Sequence, residues 1–512
     1  MQDKSSDNKR LAKNTTMLYF RMFVMMAISL YTSRVILSSL GVSDFGIYNI
    51  VASSIMIIAF VTSSFAAASS RFITIAIGKG NPNEIKKTFG GILAIQIILA
   101  IFVLILLESI GLWLLNNKLV IPIERMAAAQ FVYHISVISS IINIVMIPFN
   151  AEIIAHERMS AFAYMSILDA SLKLLIVYIL YIIPFDKLII YSLLILGVQL
   201  LDMSIYYVYN VIHFPETRGK IRINKALAKQ VMGYTSWTLT GAITTMACNQ
   251  GVNLLLNVFF GPLVNAARGI AFQVQTVIQN FAFNFQTALN PQIVKSYAIK
   301  DYERINTLVV WGTKFSFYLL LLISLPLMVK IDYILSLWLV DVPNYTSSFI
   351  ILLLIVNLVH CALANPLIFA INATGDIKRF QIVEGISLIT IIPISYVIYK
   401  FDYLNPNIVF GVYLVVECIT QALRMWIVLP KIYISIICYV RNCLWPIFKV
   451  VMLSLFISFS ICYFNKDTFF NFIIIVSLEL IAIILIIYGI GLTSNEKKMI
   501  NGYLKKMFRK SR

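Results

Sequence analysis

Fourteen long apolar segments fill this chain almost end to end, and the loops between them alternate in charge. A helix needs about 20 apolar residues to cross the hydrocarbon of a bilayer, and 512 residues accommodate fourteen such passes. The segments lie at approximately 15–40, 45–71, 88–115, 122–149, 160–183, 187–212, 230–260, 263–290, 305–329, 346–371, 379–399, 407–429, 446–464 and 468–491. Hydrocarbon cannot satisfy exposed backbone groups, so each span is expected to be helical. Barrel strands would be about ten residues long and alternating, and these segments are neither. Charged residues make up only 12% of the chain, about half of what a soluble globular protein carries.

The loop charges orient the spans. With the N-terminus inside, the inner segments collect 28 of the 41 Lys and Arg residues: Lys4 to Lys13, Lys79 to Lys87, Arg158, Arg218 to Lys229, Lys295 to Arg304, Lys378 with Arg379, Lys431 to Lys449, and the tail from Lys497. The opposite face holds six: Lys118, Arg125, Lys187, Lys330, Lys400 and Lys466. This bias predicts cytoplasmic N- and C-termini. It also makes the net charge of +18 a matter of topology, with basic segments on an anionic inner leaflet; nucleic acid is not an expected partner. The first span is too long for a signal peptide, lacks a small-residue cleavage site and runs straight into the next span. The six cysteines (Cys248, Cys361, Cys418, Cys438, Cys443, Cys462) form no CxxC pair and read as reduced apolar fillers.

The chain also repeats itself. Arg10-Leu11-Ala12-Lys13 precedes span 1 and Ala226-Leu227-Ala228-Lys229 precedes span 7. Residues 41–88 lie over 261–308 without a gap, with Gly41 on Gly261, Ile50 on Ile270, Phe65 on Phe285, Ala68 on Ala288 and Ile85 on Ile305. Six spans separate the copies, so both halves enter from the same side. Parallel repeats imply a pseudo-twofold axis along the membrane normal and a site near the midplane. The expected fold class is an all-α polytopic membrane protein of about 14 transmembrane helices: two six-helix lobes plus two extra C-terminal helices. Its parts are a basic N-terminus (1–14), an N-lobe (15–213), a linker (214–229), a C-lobe (230–429), an interfacial segment (430–445), the last two spans (446–491) and a basic tail (492–512).

Ionisable groups inside a bilayer are costly and usually face a cavity or a partner. The basic ones are Arg21, Arg34, Arg71, Lys173, Arg268, Lys314 and Arg424. Near span ends, Arg34, Arg71 and Arg268 could instead snorkel to the interface. Asp169 stands four residues before Lys173, the favourable order for a helical ion pair. Span 8 carries the sharpest pattern: Arg268, Gln275, Gln279 and Gln286 are spaced to share one helical face. Amides and guanidinium suit sugar hydroxyls and phosphate; the alternative is amide bonding between helices. Span 7 is unusually polar, from Thr235 to Asn257, so spans 7 and 8 read as a wet wall. The small residues Ser63 to Ser70 of span 2 read as close helix packing. Glu108, Asp202, Glu384 and Glu417 are intramembrane acids without an adjacent base, although Glu417 and Arg424 are seven apart and share a face. Glu384 and Glu417 form a candidate cation or proton site, set against a satisfied interhelical hydrogen bond.

No GxxxxGK[ST] phosphate loop occurs, so ATP hydrolysis by this chain is not expected. His134, His156, His213 and His360 have no metal-ligand spacing in sequence. Neither a metal nor a cofactor is expected, and no loop is long enough for a catalytic domain outside the membrane.

At Leu40-Gly41-Val42-Ser43-Asp44-Phe45-Gly46-Ile47-Tyr48, following an Arg-bearing first span, the chain resembles the Wzx-type polysaccharide flippases of the multidrug/oligosaccharidyl-lipid/polysaccharide (MOP) exporter superfamily. Arg71-Phe72 with Gly78-Lys79-Gly80-Asn81 is similar to the end of span 2 in that family. Ala288-Leu289-Asn290-Pro291-Gln292-Ile293 with Lys295-Ser296-Tyr297 is similar to the matching end of span 8. The resemblance implies a MATE- and MurJ-like fold in a bacterial inner membrane. It implies translocation of undecaprenyl-diphosphate-linked oligosaccharide, the repeat unit of O-antigen, capsule or exopolysaccharide, from the inner to the outer leaflet. A cationic cavity would take the diphosphate and sugar, with Arg34, Arg71 and Arg268 as its candidates and Arg21, on a different face of span 1, behind them. The implied partners are the polyprenyl-diphosphate-linked sugar, membrane lipids, Na+ or H+ as coupling ion, and polysaccharide polymerase or assembly proteins; the chain itself would not be an enzyme. The rival readings are a MATE-type cation or drug antiporter, which favours acidic cavity residues, and a lipid II flippase. A polymerase or membrane glycosyltransferase would need a long catalytic outer loop.

Overall fold

A computed structural model describes residues 10–11, 13–28, 32, 44, 47–48, 51, 58–117, 123–182, 184–339, 342–401, 405–462, 469–498 and 501. Among them the only regular structure is helix. The helices used below are α1 (Ile58–Lys79), α2 (Pro82–Leu106), α3 (Met126–Ala155), α4 (Met159–Ile182), α5 (Lys187–His213), α6 (Lys225–Phe260), α7 (Pro262–Ala298), α8 (Tyr302–Val329), α9 (Thr346–Asn357), α10 (Asn365–Thr374), α11 (Lys378–Ile389), α12 (Ile391–Lys400), α13 (Ile408–Lys431), α14 (Trp445–Cys462) and α15 (Phe469–Ile486).

Eleven helices among the described residues are long and apolar enough to cross a membrane, against fourteen expected spans. Two of the three missing spans are left out for a physical reason. Spans 7 and 8 are present as α6 and α7, 36 and 37 residues long, but their Thr, Asn and Gln content keeps them out of an apolar count. Of span 1, residues 13–28 are described and helical. Phe102, Phe456 and Phe459 stand well exposed. That much apolar surface would drive aggregation in water and is the expected state against lipid.

The chain divides into two compact units, Met1–Ile243 with Ala288–Lys300, and Thr244–Thr287 with Asp301–Arg512. In the first unit the turn between α1 and α2 shows how short polar signals punctuate apolar helices. Gly80 takes φ of 74°, a left-handed conformation that glycine adopts without penalty. Asn81 then caps α2, accepting from the backbone N–H of Asn83 and Glu84, with Pro82 at the first helical position. The small-residue run of span 2 packs as expected: Ala68 is fully buried, and Gln96 of α2 donates to buried Ser69 at 3.2 Å. Asp169 and Lys173 of α4 form the anticipated ion pair, at 2.7 Å.

Asp44 of the LGxxDFGxY motif gains a role here. Arg125 binds Asp44 and, at 2.5 Å, Asp186, whose carboxylate also caps α5. Burial pushes the Asp186 carboxyl up, but Arg125 and the backbone N–H groups of Ile189 and Leu188 outweigh it and hold it below its ordinary value. The stabilisation from this clamp is therefore present above the ordinary aspartate range and is lost only as acid protonates Asp186.

In the second unit, Lys314 of α8 is fully buried and lies 2.8 Å from the Glu496 carboxylate. Thr493 and Glu496 form a reciprocal capping box: Thr493 N–H donates to Glu496 at 2.7 Å, and Glu496 N–H donates back to Thr493 Oγ1 at 3.4 Å. The five cysteines with described side chains are free thiols; Cys248, Cys361 and Cys443 are buried.

Candidate functional site

The polar positions of α7 gather around a cavity of about 170 Å³ within the second unit. Gly261, with φ of 80°, turns the chain from α6 into α7. This turn sets Asn249 and Asn253 of α6 beside Arg268. The guanidinium donates to Asn253 Oδ1 at 3.2 Å and to the Asn249 carbonyl at 2.9 Å. Two helical turns on, Gln275 and Asn357 of α9 bond reciprocally: each amide Nδ or Nε donates across at 3.1 Å. Thr245, Asn249, Arg268, Gln275, Gln279, Asn357 and His360 supply the polar lining, and Phe272, Phe410 and Tyr413 the aromatic part. No Asp or Glu is among the lining residues.

A charged relay runs back from this cavity. The helix between α9 and α10 widens into a π turn at Leu358–Ala364, a local distortion often found at functional sites. It places His360 on the cavity wall with Nδ1 2.9 Å from Glu417 of α13. Arg424, 1% exposed, donates to Glu417 at 2.5 Å and to Glu384 of α11 at 2.7 Å. Two carboxylates thus share one guanidinium, and the His360 ring meets one of them, Glu417. Burial of so many charges requires this mutual pairing.

The residues singled out from sequence separate into groups. Arg268, Gln275 and Gln279 come together at the cavity. Gln286, on the same helical face, is fully buried and bonded on every side. It donates to Ser316 Oγ at 3.0 Å and the Cys361 carbonyl at 2.8 Å, and accepts from Asn365 at 3.0 Å. Glu384 and Glu417 meet through Arg424. In the first unit, the Arg71 guanidinium lies 5.0 Å from the Tyr234 ring and 4.9 Å from Phe72, and that of Arg21 lies 4.4 Å from the Phe162 ring, both within cation–π range. Arg34 lies outside the described residues. Asn249 and Thr245 belong to the polar wall read on span 7 and do line the cavity; the residues that sequence reasoning missed are His360 and Asn357. His360 was visible as an ionisable group within an apolar span, but its partner is 57 residues away.

Gln286→Leu is expected to lower stability by about 1–3 kcal/mol, because three polar partners lose their bonds inside the protein, while leaving the cavity intact. Gln279→Leu is expected to do the reverse. Thermal unfolding of both variants in detergent, read beside ligand binding at the cavity, separates the two; equal stability of Gln286→Leu and the native chain would refute the assignment.

Comparison with known proteins adds the fold. No protein-family profile and no curated protein sequence matches the chain. An outward-facing multidrug resistance MATE family transporter of the MOP superfamily is similar, with 14% identity and a TM-score of 0.69 over 85% of this chain and 99% of that one. A MATE mutant matches with 13% identity and a TM-score of 0.71 over the same shares. So does a MOP superfamily transporter from Pyrococcus furiosus, described by the reverse polarity of its binding pocket, with 13% identity, a TM-score of 0.67 and the same coverage. At such identities the likeness establishes the fold: this chain has the architecture of these transporters along nearly their whole length.

Proposed function

We propose that the chain is a flippase that carries undecaprenyl-diphosphate-linked oligosaccharide from the inner to the outer leaflet of a bacterial cytoplasmic membrane by alternating access. The observation that carries this reading is the cavity lining: one guanidinium, several amides and no carboxylate. Arg268 matches phosphate oxygens, and Gln275, Gln279 and Asn357 match sugar hydroxyls. A volume of about 170 Å³ is below the roughly 300–1,000 Å³ of pockets for drug-sized ligands, so it suits a phosphate or one sugar rather than a whole repeat unit. Arg34 or Arg71, with Arg21 behind them, is the alternative partner proposed for the diphosphate, and the lipid tail would stay in the bilayer. The lobes 15–213 and 230–429 would be the moving parts, with 446–491 outside the repeat. The relay from His360 through Glu417 and Arg424 to Glu384 is the proposed site of coupling to an inward H+ or Na+ gradient, because it links the cavity wall to two carboxylates. Polysaccharide polymerase or assembly proteins would take the flipped product.

The test is flipping in proteoliposomes. A fluorescent undecaprenyl-diphosphate oligosaccharide is loaded, and an impermeant sugar-modifying enzyme reports its leaflet. Arg268→Ala is expected to slow flipping roughly tenfold or more, as loss of a charged hydrogen bond implies, with the protein still folded. Native protein that moves no lipid-linked sugar would sink the proposal.

Two observations favour a second reading, a cation or drug antiporter: the similar solved structures include a multidrug resistance transporter, and the Glu384–Arg424–Glu417 network supplies carboxylates close to the cavity. Extrusion of a cationic dye from the same vesicles, without movement of lipid-linked sugar, would establish it instead.

A further inference from the structure

A second cluster lies in the first unit and is unused by the proposed transport. Glu152 and His156 stand one helical turn apart where α3 ends, and Glu216 belongs to the short turn Pro215–Arg218 that follows α5. Their donor atoms converge, all lying within 4.8 Å of one another. His156 Nε2 is 2.6 Å from Glu216 Oε1 and 3.2 Å from Glu152 Oε1. We propose that Glu152, His156 and Glu216 form a binding site for one divalent transition-metal ion, best matched by zinc.

The donor set is the first argument. One imidazole nitrogen and two carboxylates suit zinc with a fourth position left for water. Calcium and magnesium prefer more oxygen ligands and no imidazole. Ligands about 2.0–2.2 Å from a tetrahedral ion lie roughly 3.3–3.5 Å apart. The shortest separation here would need to widen by less than 1 Å.

Glu152 supplies an independent argument. Its side chain is fully buried, its one contact of opposite polarity among the described residues is the His156 ring at 3.2 Å, and neither carboxylate oxygen completes a well-formed hydrogen bond there. A buried carboxylate left so is costly; an ion at the cluster satisfies it.

The surroundings are arranged for binding. The His156 ring stacks on Phe214, with centroids 4.3 Å apart and planes within 12°, so Nε2 is aimed in advance. Among the described residues the nearby cations bind elsewhere: Arg10 donates to the His156 carbonyl and pairs with Glu157, and Lys295 also pairs with Glu157. The His156 side is about a quarter exposed and the Glu216 side about an eighth, which leaves an access path from solvent. Such a site would tie the end of α3 to the turn after α5.

The test uses the full-length chain in detergent, stripped with a chelator. Zinc is titrated against a chromophoric competitor, and cobalt is substituted as a spectroscopic probe. The expected result is one zinc per chain, a visible cobalt absorption of tetrahedral type, and a higher unfolding temperature with zinc present, since an ion that binds only the folded state stabilises it. Glu216→Gln keeps the bond to His156 and hence the fold. It is expected to weaken zinc more than the roughly 10–100-fold that loss of a supporting partner costs. His156→Gln is expected to abolish the cobalt band. Glu84→Gln, at an exposed surface pair, is expected to bind as the native chain does. The proposal fails if the native chain binds no stoichiometric zinc or if Glu216→Gln binds it equally well.

Discussion

Replacing Arg424 by Gln is expected to destabilise the protein by about 3–5 kcal/mol, the cost of removing one partner of a buried ion network. The guanidinium is 1% exposed and holds two carboxylates from different helices. Without it, Glu417, fully buried, keeps only the His360 ring as a polar partner among the described residues, and Glu384 loses both of its bonds to Arg424. Lysine should not restore the site, because a point charge cannot reproduce the planar fork that serves Glu384 through Nε and Nη2 and Glu417 through Nη1. Adding Glu417→Gln to the Arg424→Gln chain should recover part of the loss, since it removes an uncompensated charge. The four chains of this double-mutant cycle, compared by unfolding in detergent, give the coupling directly. An unfolding midpoint for Arg424→Gln equal to that of the native chain would show that the network contributes nothing to the fold.

A loss of similar size is expected for Glu496→Gln, about 3 kcal/mol or more. Lys314 is fully buried, and both Glu496 oxygens lie within 3.0 Å of its ammonium. The variant strands that charge and also weakens the capping box with Thr493. The visible sign should be faster tryptic cleavage at Lys497, whose ammonium otherwise donates to the Gly489 carbonyl. Lys314→Met combined with Glu496→Leu removes both charges and should recover much of the stability. If cleavage at Lys497 stays as slow in Glu496→Gln as in the native chain, the pair does not dock this segment.

What could be read in advance follows the physics of helices. Apolar length marked the spans. Contacts set by one helix were also legible: Asp169 with Lys173, Glu417 with Arg424, and the shared face of Arg268, Gln275 and Gln279. Contacts between helices were not. Nothing in the spacing of Gln286 distinguishes it from Gln279, because its burial depends on Ser316 and Asn365, which arrive from other helices. Glu384 meets Arg424 across 40 residues and His360 meets Glu417 across 57. Glu152, His156 and Glu216 escaped a search for ligand spacing for the same reason.

The π turn at Leu358–Ala364 carries a consequence for how this chain tolerates change in length. A widened turn holds one residue more than an α-helix needs. Deleting Val359 would let the helix regularise without breaking it, so the fold could survive. His360, however, would swing about 100° around the helix axis and leave both the cavity wall and Glu417. Relatives that share the relay should therefore keep the length of this segment, while relatives one residue shorter there should also lack the histidine and its buried glutamate partner.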